Sequence, residues 1–272
     1  MPVLAALCLL GLSLSGAARS DPVILSGPLT QGGMVIGRTE PDASVTLDGE
    51  PLRVAPDGRF VFGFNRDAAP EATLAIVHPD GTTETRTLAV VQRHYDVQRI
   101  DGLPPSKVTP PADLLARLAR ERAAVADARA DTGDGMAWAA PLAWPAVGPV
   151  TGVYGSQRIL NGEPRQPHYG VDIAAPEGSP VRAPAAGRVV LAEPAFYYEG
   201  GIVIIDHGYG VSSTLFHMQR VDVRAGESVS QGQPIGLLGA AGRASGPHVD
   251  WRMNWNGVRL DPALLMGPMP AK

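Results

Sequence analysis

Histidine and carboxylate side chains can hold a metal ion or move a proton near neutral pH, and in this sequence they gather in the C-terminal half. Four of the six histidines, His168, His207, His217 and His248, lie there with acidic neighbours. The first group is Pro167-His168-Tyr169-Gly170-Val171-Asp172. A helix would bring His168 and Asp172 onto one face, but Pro167, Gly170 and the β-branched Val171 and Ile173 disfavour one. In a flat strand their α-carbons stand ~13 Å apart at ~3.3 Å per residue, too far for two short side chains to meet one ion at ~2 Å. A shared metal therefore requires a bend between them, and Gly170 is the residue placed to allow it.

The second group, Gly246-Pro247-His248-Val249-Asp250-Trp251-Arg252-Met253-Asn254-Trp255, alternates with period two. Val249, Trp251, Met253 and Trp255 read as core, which leaves His248, Asp250, Arg252 and Asn254 on the other face of a half-buried strand. That face can serve a metal ligand and a general base, or be a plain surface. The third group is Asp206-His207-Gly208-Tyr209-Gly210, a strand end and hairpin, with Leu215-Phe216-His217-Met218 on the return strand. His207 beside a glycine turn reads as a turn-capping residue. His217 alone would be an ordinary strand histidine, and it becomes a site candidate in company with the other two groups. His78 and His94 stand by themselves and read as structural or surface residues.

The elements that must position these groups are mainly β. Residues 1–20 read as a signal peptide, with an apolar run from Val3 to Leu14, small residues at Ser15-Gly16-Ala17-Ala18, and no basic residue at Met1-Pro2. The stretch is short for a membrane span, so no stable span is expected after its removal. Cys8, the only cysteine, falls inside it. The remaining chain then has neither disulfide nor thiolate, and any metal must be held by His and carboxylates. Residues 21–97 show short strand-like runs at Met34–Gly37, Ser44–Leu47, Phe60–Phe64 and Thr73–Val77, separated by turn signals such as Asp48-Gly49 and Pro56-Asp57-Gly58. This spacing predicts a small β-sandwich. Residues 98–140 read as a linker: a proline-rich stretch, then a helix at about 112–130 with Leu114, Leu115, Leu118 and Val125 near one face. Residues 141–272 return to β-type runs.

Composition excludes other classes. A net charge of -4, no basic run, and lysine only at Lys107 and Lys272 argue against nucleic acid as a partner. A lipoyl- or biotinyl-type carrier needs a lysine at a hairpin tip, and none lies between Pro141 and Ala271.

Taken together, the C-terminal residues resemble the lysostaphin-type zinc endopeptidases. The resemblance runs from Trp144 to Pro262 through His168-x-x-x-Asp172, Gly178-x-Pro180-Val181-x-Ala183-x-x-x-Gly187-x-Val189, Asp206-His207-Gly208-Tyr209-Gly210, His217 and Gly246-Pro247-His248. It implies an antiparallel β-sheet with a groove over one face. It also implies one Zn2+ on His168 and Asp172, and His217 and His248 as the catalytic pair beside it. The family's last motif is His-x-His, and this chain has Asp250 where the second histidine, the third ligand, is expected. The implied set is therefore His168, Asp172 and Asp250, with Arg252 close enough on the same strand face to pair with Asp250. The resemblance further implies hydrolysis of peptide crosslinks in peptidoglycan by an exported protein of the periplasm or cell envelope. The alternative is a metal-free, inactive relative that binds the wall or activates another wall hydrolase. The N-terminal module would then contact the wall or a protein partner.

Overall fold

The computed structural model describes residues 23–101, 112–130 and 132–270. The expected signal peptide with Cys8, and the proline-rich part of the linker, lie outside the described residues. No helix among them is long and apolar enough to cross a membrane.

The N-terminal region is the expected β-sandwich. One sheet pairs Ile24–Ser26, Met34–Arg38 and Arg59–Gly63, and the other pairs Glu50–Leu52, Ser44–Leu47, Glu71–Val77 and Thr83–Ala89. Val35, Phe60, Phe62, Leu74 and Ile76 fill the space between them and are fully buried. The Asp48-Gly49 turn has both residues at positive φ, 50° and 86°, the geometry that matches the twist of a two-residue hairpin. Thr83–Ala89 was not anticipated, because its Thr-Glu-Thr-Arg-Thr run offers little apolar alternation; it is an edge strand held by its full register with Glu71–Val77.

Val97–Ile100 straddles the expected boundary between sandwich and linker, and here it is a strand parallel to Gln157–Leu160. The helix α1 spans Ala112–Ala130. It buries Leu118 and packs Val125 and Ala128, while Leu115 points outward.

The C-terminal region is built on a large antiparallel sheet. Its strands are β1 (Val150–Gly152), β2 (Val171–Ala174), β3 (Gly187–Phe196), β4 (Gly200–Gly208), β5 (Val211–Val221), β6 (His248–Trp255) and β7 (Val258–Leu260). From one edge the order is Ser228–Val229, β3, β4, β5, β6, β2, β1, with β7 paired to β6. The sheet has two unlike faces. Val203, Ile205, Leu215, Val249, Trp251 and Met253 lie in a core continuous with that of the sandwich. The opposite face carries Ile202, Ile204 and Phe216, against which α1 lays Val125 and Ala128.

The sandwich and the sheet are tied by polar contacts as well as the shared core. Asp261 donates its N–H to the Gly32 carbonyl at 2.8 Å, and its carboxylate accepts from Arg93 at 2.8 Å and from the Ala263 N–H at 3.0 Å.

Candidate metal centre

The face of the sheet bearing α1 also carries the histidines and carboxylates, and the β2–β6 pairing brings them together. Asp172 and Asp250 are direct cross-strand partners. His168 lies before β2, and the chain bends at Gly170 to return its ring over the two carboxylates. The role of Gly170 is room: a β-carbon there would sit 2.4 Å from Asp250 Oδ1 and 2.7 Å from Arg252 Cγ. His168 Nε2 stands 3.1 Å from Asp172 Oδ1 and 3.4 Å from Asp250 Oδ2. One potential ligand atom from each of the three residues lies within 4.8 Å of the others.

His217 and His248 border this cluster. Simple alternation would send the side chain after Phe216 back into the core. Instead β5 carries one extra residue relative to β4 between Leu215 and Met218, and His217 takes φ of 65°. This bulge turns its ring toward the site, while the Glu199 carbonyl accepts the His217 N–H at 2.7 Å. The rings of His217 and His248 lie 4.7 Å apart, and His248 Nε2 is 3.8 Å from Asp172 Oδ1.

All three imidazoles are oriented the same way. Nδ1 of His168 lies 3.1 Å from the Val153 carbonyl, Nδ1 of His217 lies 2.8 Å from that of Ala241, and Nδ1 of His248 lies 2.8 Å from that of Gly246. A carbonyl only accepts, so each Nδ1 carries a proton and each Nε2 is turned toward the site, where in a neutral ring its lone pair is available.

The electrostatics decide whether these residues suit a cation. His168 Nε2 and Asp172 Oδ1 are buried and close, yet neither has a hydrogen-bond partner. Two such atoms converging without bonding each other is the arrangement an ion between them would satisfy. Burial disfavours a charged His168 ring, but the two carboxylates outweigh it and hold its pKa up to about 10. Burial pushes His217 down, which keeps that ring neutral and able to take a proton near pH 7.

Asp250 is buried and shared with Arg252, whose Nη2 donates to Oδ2 at 2.6 Å and whose Nε lies 3.1 Å from both oxygens. Burial alone would raise the Asp250 carboxyl; Arg252 and His168 hold it well below the usual carboxylate range. The guanidinium also stacks over Phe216 at 4.7 Å. A carboxylate has about four lone-pair positions, so Asp250 can serve Arg252 and a cation together. Arg252 also cancels one carboxylate charge, so once an incoming ion displaces the His168 ring proton the cluster carries the net charge of a single carboxylate. The donor set therefore fits a divalent ion such as zinc.

Other sequence candidates fall elsewhere. His207 is almost fully buried, with Nδ1 2.8 Å from the Ala186 carbonyl and Nε2 2.7 Å from Ser213 Oγ. It therefore ties strands together inside the molecule; Asp206 is the turn-capping residue, accepting the Gly208 N–H at 3.1 Å. His78 is a buried structural residue bonded to Glu40 at 2.8 Å, and His94 is exposed. The orienting carbonyls of Val153, Ala241 and Gly246 carry no side-chain signal and could not be read from sequence.

Comparison with known proteins agrees with this geometry at family level. Residues 166–262, which contain all five site residues and the whole of β2 to β7, match the model of peptidase family M23. The C-terminal region is thus homologous to M23 peptidases. The chain is 39% identical over 87 residues to the peptidoglycan DD-endopeptidase ShyA of Vibrio cholerae, covering 32% of this chain and 20% of that protein. It is 37% identical over 124 residues to the murein hydrolase activator EnvC of Escherichia coli, covering 46% of this chain and 28% of that one. The chain thus spans less than a third of the length of these relatives. A Pseudomonas aeruginosa crystal structure described as a candidate M23 peptidase matches with 28% identity and a TM-score of 0.66, over 88% of this chain and 94% of that one. The lysostaphin catalytic domain of Staphylococcus simulans matches with 28% identity and a TM-score of 0.38, over 42% of this chain and 89% of that one.

Proposed function

We propose that this chain is an exported metallo-endopeptidase of the lysostaphin type that hydrolyses peptide crosslinks of peptidoglycan. The observation carrying this reading is the cluster of His168, Asp172 and Asp250 with the rings of His248 and His217 beside it, within a segment that matches the M23 peptidase family. His168, Asp172 and Asp250 would hold one zinc ion. Bound there, zinc supplies a Lewis acid for the scissile carbonyl and brings the pKa of a coordinated water toward ~7. His217, kept neutral by burial, accepts a proton at Nε2, and His248 presents its Nε2 beside it to steady charge that develops on the carbonyl oxygen. Residues 141–272 form the catalytic unit, and the sandwich of residues 21–97 docks the wall or a partner protein.

A second reading has its own support. Arg252 occupies part of Asp250, and EnvC, a murein hydrolase activator, is among the relatives. On that reading the site holds no metal and the groove binds a wall hydrolase.

Elemental analysis of the purified chain after dialysis against trace zinc separates the two. One zinc per chain, lost in His168→Ala, together with release of uncrosslinked peptides from purified peptidoglycan, supports the peptidase. Absence of retained zinc and of products would leave the activator reading.

A further inference from the structure

Beyond Arg252, the same sheet face carries two more arginines without a carboxylate partner among the described residues. Arg259 on β7 stands opposite Asn254 on β6. Arg129 reaches from the last turn of α1 to Thr214 Oγ1 at 3.0 Å, and Thr214 is the cross-strand partner of Arg252. The side chains of Thr214, Arg252, Asn254 and Arg259 thus occupy neighbouring positions on one surface.

The buried polar atoms left without a partner at this place, Asn254 Nδ2 and Arg129 Nε, are both donors. Arg259 Nη1 donates to Asn254 Oδ1, which fixes the amide orientation and leaves Nδ2 pointing away as a donor. Asn254 is 1% exposed, and its Nδ2 has no partner. Nε of Arg129 is likewise buried and without a partner. Burial, together with the neighbouring guanidiniums, draws Arg129 down to about 9 and lowers Arg259 as well. Desolvated like charges with unused donors are costly unless an anion is received between them. Arg259 also lines a cleft of about 570 Å³ with Gln166, Tyr169 and Asn256, and Tyr169 follows the candidate ligand His168. The carboxylate of Asp67 in that cleft is already bound to Arg66 at 2.7 Å.

We propose that Arg129, Arg259 and Asn254 Nδ2 form a carboxylate-binding subsite for the peptide substrate. The proposal rests on the peptidase reading and deepens it. Asn254 lies four residues along β6 from Asp250, ~13 Å at ~3.3 Å per residue. The subsite therefore selects an extended peptide whose free carboxylate lies about three or four residues from the bond at the metal cluster. It also gives α1 a part in recognition, because Arg129 comes from the helix.

The test is binding to the full chain carrying His248→Ala, which blocks turnover. The probes are acetyl-tetra-alanine with a free C-terminal carboxylate and the same peptide as its C-terminal amide. The free acid is expected to bind about tenfold or more tightly, the scale of one or two charge-assisted hydrogen bonds. That preference should vanish in Arg259→Gln and in Arg129→Gln. Inorganic phosphate as competitor distinguishes a peptide subsite, where it displaces weakly, from a general anion site, where it displaces fully and overturns the peptide assignment. Equal binding of acid and amide without any arginine substitution would overturn the proposal, and needs no variant to fold. Because the readout is binding, acid preference in a chain whose wild type digests no peptidoglycan would keep the subsite and discard the peptidase.

Discussion

Asp250 and Arg252 stand two residues apart on one strand face and hold each other through contacts of 2.6 and 3.1 Å, with Asp250 buried and its oxygens turned toward His168. The pair couples the stability of the strand to the chemistry of the cluster. Arg252→Met takes the bonded guanidinium from a buried carboxylate and leaves it only His168 as a countercharge, and should cost about 3 kcal/mol in the metal-free chain. Added zinc should recover much of that loss by taking over as the countercharge. Denaturant titrations with and without zinc measure both quantities; an equal loss in the two conditions would show that Asp250 does not reach the ion.

Asp250→His installs the ligand that the M23-like motif leads one to expect, yet strands Arg252. The single variant should bind zinc more tightly while losing stability, and Asp250→His with Arg252→Met should keep the affinity and regain the stability. Zinc titration and thermal melts of both variants would check this. Unchanged affinity would place the third ligand elsewhere.

Zinc uptake should release a proton. In the metal-free chain His168 is held up to about 10 by Asp172 and Asp250, so at pH 7 the ring is protonated and the ion must displace that proton. Apparent affinity should rise about tenfold per pH unit from 7 toward 9, following the proton stoichiometry. Calorimetry in buffers of different ionisation enthalpy counts the protons; a stoichiometry of zero would contradict the arrangement at His168.

His248→Ala should retain zinc and fold while lowering hydrolysis by about 100- to 10,000-fold, the range for loss of a positioned proton-transfer or charge-stabilising group. The ring touches the site only at 3.8 Å and is anchored by a backbone carbonyl, so little packing depends on it. Full activity in the variant would remove His248 from the mechanism.

Acid should weaken the fold through His207. Its burial depresses the pKa, so the folded chain keeps the ring neutral while the unfolded chain binds a proton below about pH 6.5. The unfolded state then holds more protons, and stability present above that pH is lost as pH falls. Melting temperature should drop between pH 7 and 5, and His207→Gln should flatten that dependence.

Much of this was legible in the sequence where side chains repeat with a simple period. The alternation from His248 to Trp255 placed Val249, Trp251, Met253 and Trp255 in the core and the polar residues opposite them, and the turn dipeptides marked the sandwich strands. The bend between His168 and Asp172 followed from reach alone. The bulge at His217 did not, because one extra residue in a strand leaves no compositional trace. Nor did the part of Arg129: nothing in an Ala- and Arg-rich helix says which arginine will be laid against a sheet. Thr83–Ala89 escaped because its partner strand, more than its own composition, makes it β.

The three imidazoles are aimed by the carbonyls of Val153, Ala241 and Gly246, and a carbonyl is common to every amino acid. A scan of side-chain substitutions at these positions would read as nearly silent, although each one orients a histidine. The site is robust to point mutation there and vulnerable to insertions, deletions or prolines that shift the main chain. An engineer redesigning its specificity can vary those side chains freely, provided the loop lengths stay fixed.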